Sequence, residues 1–138
     1  MNTPYILDAC ALIAFLQKET GWERVKEILL RARENTAILQ MHAFNLLEVY
    51  YDMYRNIGKD KAIEELRMIR RLPIEFNVSL VDEIFMEAGR LKATYRISLA
   101  DAIVLAQASI TGGVILTSDH HEFDVIESKE SIRFMWIR

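Results

Sequence analysis

Cysteine is almost absent from this chain. Its single thiol, Cys10, excludes an internal disulfide and a zinc-finger type of metal site, and agrees with a reducing compartment, the cytoplasm. Glycine and proline are scarce as well: 5 and 2 residues among 138 leave no stretch with the composition of a linker or a disordered tail. No apolar run is long enough for a membrane. The stretch 5–16 carries Asp8, has no basic residue ahead of it and falls short of the roughly 20 apolar residues of a spanning helix. A soluble product without a signal peptide or membrane contact is expected. Positive charge is also in short supply, since 17 Lys and Arg face 20 Asp and Glu, and a net charge of −3 gives no general attraction to a phosphate backbone. Any nucleic-acid role must come from local clusters. Arg67, Arg70 and Arg71 on one expected helix, and Arg90, Lys92 and Arg96 on another, are candidates, and a solvated helix face explains each equally well.

What is present is globular: 51% hydrophobic and 27% charged residues in a chain long enough to bury about 68% of its unfolded surface, which predicts one domain over residues 1–138. Tyr5, Ile6 and Leu7 form a short apolar strand before Asp8, and residues 9–16 read as a helix. A second helix is expected over 22–33, with Trp22, Val25, Ile28 and Leu29 on one face, then a buried strand over 36–40. Residues 43–54 are helical but apolar almost all round, with more hydrophobic surface than one core face can bury. A helix over 59–71 stops before Pro73, and 74–76 is a short edge strand. A longer helix over 79–95 turns Leu80, Ile84, Ala88 and Leu91 inward. The next, over 99–110, is closed by Gly112 and Gly113. Strands over 114–116 and 132–135 complete the pattern. Short apolar strands alternating with helices predict an α/β fold, a three-layer sandwich around a mainly parallel sheet of about five strands. Such sheets bind ligands beyond the carboxyl ends of their strands, where Asp8 and Asp119 fall.

Four acids stand out. Asp8 and Asp119 have an ordinary explanation as helix caps, the latter with Glu122 in a capping box, and Ser98 with Asp101 fits the same arrangement. Glu48 and Asp101 are harder to account for. Glu48 lies between Leu47 and Val49, and Asp101 precedes the run Ala102, Ile103, Val104, Leu105, Ala106. A buried, unpaired carboxylate costs several kcal/mol, so each should face a cavity or a cation. Were all four to converge, mutual repulsion would raise their pKa values unless a hard divalent ion neutralised them; Mg²⁺ or Mn²⁺ suits an all-oxygen site.

The order and setting of these acids resemble the PIN domain, in particular the VapC-type toxin ribonucleases. The matching segments are Tyr-Ile-Leu-Asp-Ala-Cys-Ala-Leu-Ile-Ala ending at Ala14, Asn-Leu-Leu-Glu-Val ending at Val49, Ser-Leu-Ala-Asp-Ala ending at Ala102 and Thr-Ser-Asp-His-His-Glu-Phe ending at Phe123. The resemblance implies a PIN-like fold and an endoribonuclease dependent on Mg²⁺ or Mn²⁺. It implies Asp8 and Asp101 as direct metal ligands, Glu48 and Asp119 completing the site, and Thr117 and Ser118 positioning a phosphate or a water at the metal. It further implies an RNA substrate, a cognate antitoxin that silences the enzyme in a type II toxin–antitoxin pair, and a homodimer. Ala9 departs from the pattern, since many relatives carry a hydroxyl residue there.

Other readings compete. Adjacent His120 and His121 suggest zinc, but neighbouring positions on a helix point about 100° apart. His42 reads as a local hydrogen-bonding residue, and Cys10 as a core thiol rather than a nucleophile. A phosphoacceptor signalling domain would also place an Asp beyond a parallel strand, but the acidic pair and the lysine it needs are missing. A haloacid-dehalogenase-like phosphatase would want an Asp where Cys10 stands. A catalytically idle PIN fold that only binds RNA or protein is opposed by the four intact acids.

Overall fold

The computed structural model describes residues 3–138. Five parallel strands, β1 (Tyr5–Leu7), β2 (Leu39–His42), β3 (Glu75–Asn77), β4 (Val114–Thr117) and β5 (Arg133–Trp136), form one sheet in the order β3-β2-β1-β4-β5. The connections are helical: α1 (Ala9–Gln17) and α2 (Trp22–Arg33) lead to β2, and α3 (Ala43–Ile57) and α4 (Lys59–Ile69) to β3. Then α5 (Asp82–Thr94) and α6 (Leu99–Thr111) lead to β4, and α7 (His120–Lys129) to β5. The first crossovers run outward from β1 one way and the later ones the other way. Strand order therefore reverses between β1 and β4, the kind of switch point where such sheets open a crevice.

Alternation along the central strands divides the core. Leu7 and Leu116 pack with α1 to α4 on one face, while Ile6 and Ile115 pack with α5, α6 and α7 on the other. The sheet is covered on both faces and forms the three-layer α/β/α arrangement that short, almost wholly apolar strands predict. The order differs from the 2-1-3-4-5 order of phosphoacceptor domains, which removes that reading.

Several boundaries shift for local reasons. The strand expected over 36–40 is Leu39–His42, because Thr36 remains tied to the end of α2: its N–H and hydroxyl both donate to the Arg31 carbonyl, and the Arg31 guanidinium donates to the Thr36 carbonyl. The helix expected over 79–95 starts only at Asp82. Residue 79 lends its carbonyl to His42 Nε2, and Leu80, expected to face inward, lies in the lead-in and is exposed. The last strand starts at Arg133 rather than Ile132. Helix α6 ends where Gly112 takes φ +69°, a left-handed conformation that closes helices at little cost only for glycine.

Helix α3 bears out its composition. Asn45, Leu46, Val49 and Met53 are buried, yet Phe44, Leu47, Tyr51, Tyr54 and Ile57 remain exposed on its other sides. Among the described residues no helix is long and apolar enough to cross a membrane.

Candidate active site

Asp8 follows β1 and caps α1, so the capping role and the cavity role fall on one side chain. Its Oδ1 accepts from the Ala11 N–H at 2.8 Å and its Oδ2 from the Thr117 hydroxyl at 2.5 Å. It is almost fully buried, at 4% exposure. Asp119 follows β4 and caps α7, with its Oδ1 accepting from the Glu122 N–H at 3.1 Å. The return half of the expected capping box is replaced: the Asp119 N–H donates to Thr117 Oγ1 at 3.0 Å. In α6 the Ser98 hydroxyl likewise accepts from the Asp101 N–H at 3.1 Å.

These acids meet. Asp8, Glu48, Asp101 and Asp119 line one cavity of about 260 Å³ at the carboxyl edge of the sheet, joined by Glu122 from the first turn of α7. Burial pushes Asp8 up from 3.8 to about 7, against the lowering hydrogen bonds from Thr117 and Ala11, with Asp101 and Asp119 adding repulsion. Burial also lifts Asp101 to about 7, with Asp119 and Glu48 as the next causes. Glu48, half-buried, is raised by burial and then by Asp119. Asp8, Glu48 and Asp101 are thus each perturbed by an acid from a different segment. Among the described residues no three His, Cys, Asp or Glu side chains close into a ready-made coordination shell. The donor set is nevertheless all carboxylate oxygen, the chemistry of a hard divalent ion, and a bound cation would offset both the burial and the mutual repulsion that raise these groups.

Thr117 and Ser118, expected to position substrate, do not line this cavity. Thr117 is fully buried and its hydroxyl is committed at both ends, donating to Asp8 and accepting from Asp119, so it orients the acids instead. Cys10, read as a core thiol, is exposed at the cavity rim, where burial of its sulfur and the neighbouring Asp8 push its pKa up to about 11. At neutral pH it stays a thiol, which removes the nucleophile reading on chemical grounds. His42 does bond locally, its Nδ1 accepting from the Phe44 N–H and its Nε2 donating to the Ser79 carbonyl. His121 points into solvent and His120 bonds to Asp124 and to the Arg138 main-chain oxygen, so the pair shares no ion. Of the basic candidates, Arg90 is occupied by Glu87 and Glu130, while Arg67, Arg70, Arg71, Lys92 and Arg96 are exposed.

Two contributors escape a reading of the sequence. Glu122 looks like a capping residue, and only its one-turn distance from Asp119 hints at a shared direction. Asn45, buried three residues before Glu48, donates to the Ala100 carbonyl at 3.1 Å, fastening the helix of Glu48 to the helix of Asp101. Size alone would mislead: a larger groove of about 520 Å³ between α1, α2 and α4 is lined mainly by apolar side chains, with Lys18, Lys26 and Arg33 and a single acid, Glu65.

Known proteins share this fold. The chain matches the family model of the PIN domain over residues 5–129. No sequence among curated proteins shows significant similarity. Among solved structures, the fold is similar to a chain of DNA-bound VapBC from Salmonella typhimurium, with TM-score 0.74, 16% identity and 99% of both chains covered. It is also similar to VapBC2 from Rickettsia felis bound to a promoter DNA fragment, with TM-score 0.73, 16% identity and 97% and 98% covered. A chain of VapBC-1 from nontypeable Haemophilus influenzae gives TM-score 0.71 at 17% identity, with 98% of each covered. With the family match spanning nearly the whole parallel sheet and all four acids, this chain belongs to the PIN domain family.

Proposed function

We infer that this protein is a metal-dependent endoribonuclease that hydrolyses RNA phosphodiester bonds, acting as the toxin of a type II toxin–antitoxin pair. The observation that carries the reading is the meeting of Asp8, Glu48, Asp101 and Asp119, from four distant segments, on one cavity at the sheet's switch point. Asp8 and Asp101 hold the metal, Mg²⁺ or Mn²⁺, and Glu48 and Asp119 complete its surroundings. The ion supplies charge neutralisation for the acids and for a phosphodiester undergoing in-line displacement. The chain's own groups do the rest. Thr117 fixes the Asp8 carboxylate through Oδ2 and holds the Asp119 backbone in place. Glu48, half-buried and with its proton affinity raised by burial and by Asp119, suits the task of taking a proton from the attacking water.

An antitoxin as partner is supported by the fold likeness to chains of VapBC complexes, and a homodimer by the exposed apolar residues of α3, which a second chain would cover. Exposed Arg67 in α4, with Arg70 and Arg71 just after it, supplies local positive charge toward RNA against the overall negative charge. The cytoplasm, where RNA substrates and reduced Cys10 belong, is the proposed location.

Incubating the purified protein with RNA and Mg²⁺ tests the activity. Wild type cleaves and Asp101→Asn does not; equal cleavage by both, or none by wild type across structured and single-stranded RNAs, sinks the proposal. For the metal, binding at 100 times the dissociation constant adds about 2.7 kcal/mol, or about 9 °C in Tm for a chain of this size. An unchanged melting curve in millimolar Mn²⁺ refutes the metal site.

A further inference from the structure

Beside the acidic cavity stands an aromatic pair that the metal chemistry does not use. The His120 and Trp136 rings stack at 3.9 Å between centroids and 13° between planes. Phe134 continues the stack behind Trp136 at 5.3 Å and 15°. Both ring nitrogens of His120 face acceptor oxygens, Nδ1 facing Asp124 Oδ1 at 2.8 Å and Nε2 the Arg138 main-chain oxygen at 2.9 Å, so the protonated ring donates to both and is held in the stack. Trp136 is anchored in turn by its Nε1–H donating to Glu127 at 3.1 Å. The His120 side chain nevertheless remains 48% exposed.

Its placement follows from the sheet. Trp136 is the last residue of β5 and lies in register with Thr117, the last of β4, whose hydroxyl holds Asp8. His120 directly follows Asp119, a residue of the cavity wall. The stack therefore stands at the same carboxyl edge as the acids, one residue from the site of phosphodiester chemistry.

We propose that the stacked His120 ring is a platform for a nucleobase of single-stranded RNA, seating the nucleotide next to the scissile phosphate. A base offers a flat π-face to whichever ring is presented, and aromatic and imidazole rings are the usual stacking surfaces for splayed bases. The acids Asp124 and Glu127 at the rim disfavour a phosphate there and leave the ring face as the recognition element. A ring already immobilised by two hydrogen bonds and an indole loses little freedom when a base lands on it.

The inference rests on the ribonuclease reading, and its test separates the two. Wild type, His120→Ala and His120→Phe are compared on a random-sequence single-stranded RNA pool with Mg²⁺, and then on one cleaved RNA carrying an abasic site at each position in turn. Loss of one stacked base predicts that His120→Ala raises KM by about fivefold to a hundredfold, while Phe, which keeps a ring but neither hydrogen bond, stays near wild type. One abasic position reproduces the defect in wild type and adds nothing to His120→Ala. The Mn²⁺ melting shift is the same in all three proteins, since the metal ligands are intact. An unchanged KM in His120→Ala, a Phe variant as impaired as Ala, or an abasic penalty that persists in His120→Ala overturns the platform while leaving the ribonuclease standing. Wild type that cleaves no RNA removes the ribonuclease reading first, and the platform with it.

Discussion

Replacing Thr117 by valine removes one hydroxyl from the floor of the site and should convert a structural contact into a measurable change in metal affinity. Valine keeps the β-branched shape in a strand position with no exposed surface, so the packing around β4 is preserved. What disappears is the donor to Asp8 Oδ2 and the acceptor of the Asp119 N–H. A hydrogen bond to a charged carboxylate contributes about 1.5 kcal/mol, which is about one pKa unit. Asp8, already pushed up to about 7 by burial, then moves to about 8. At pH 7 its ionised fraction drops from about a half to about a tenth, and because metals bind the deprotonated carboxylate, apparent affinity falls about fivefold. The gap widens toward pH 6 and closes by about pH 9, where both proteins are ionised. Calorimetric titration with Mn²⁺ from pH 6 to pH 9 reads this directly, and Thr117→Ser, which keeps the hydroxyl, should behave as wild type. A valine variant with unaltered affinity at pH 7, or a deficit that does not change with pH, would show that this bond does not set the proton affinity of Asp8.

The metal-free protein should lose stability as pH rises. Asp8 and Asp101 have folded-state values raised from 3.8 to about 7, so the folded chain holds protons that the unfolded chain has released. Their contribution is complete below about pH 4 and is lost as pH rises through about 7, at up to about 1.4 kcal/mol, or about 5 °C in Tm, per pH unit for each proton. Partial exposure of Asp101 reduces its share. Melting in chelator between pH 5 and 6.5 should show the decline, and Asp8→Asn or saturating Mn²⁺ should flatten it; a level curve in chelator contradicts the shifts. At Gly21, with φ +95°, a Cβ would lie 2.2 Å from the Ile137 carbonyl oxygen. Left-handed strain and a backbone clash together make Gly21→Ala cost about 3 kcal/mol or more, read as a fall of about 10 °C in Tm; a fall under 2 °C contradicts the packing of this turn against the segment after β5.

The alternation of short apolar strands with amphipathic helices was enough to predict a parallel sheet covered on both faces, because period and length leave few alternatives. Boundaries were less legible where side chains intervened: the Thr36 and Arg31 bonds delay β2, and the His42 bond to the Ser79 carbonyl belongs to the extended lead-in before α5. Glu48 and Asp101 were conspicuous because charge sits badly among apolar neighbours, whereas Asp8 and Asp119 could have been caps and turned out to be caps that also line the cavity. Glu122 and Asn45 gave no comparable signal, since an exposed-looking Glu and a single Asn acquire meaning only from what lies across the space they face.

By itself the sequence determined the layers, the parallel pairing and the identity of four acids, since these follow from local pattern and from the cost of burying charge. Only the tertiary structure decided that the strand order reverses between β1 and β4, and hence that carboxylates as far apart in the chain as Asp8 and Asp119 share one cavity. It also decided that Thr117 serves Asp8 rather than substrate and that His120 lies on Trp136. Such contacts depend on which strand lies beside which, and no periodicity along the chain encodes that order.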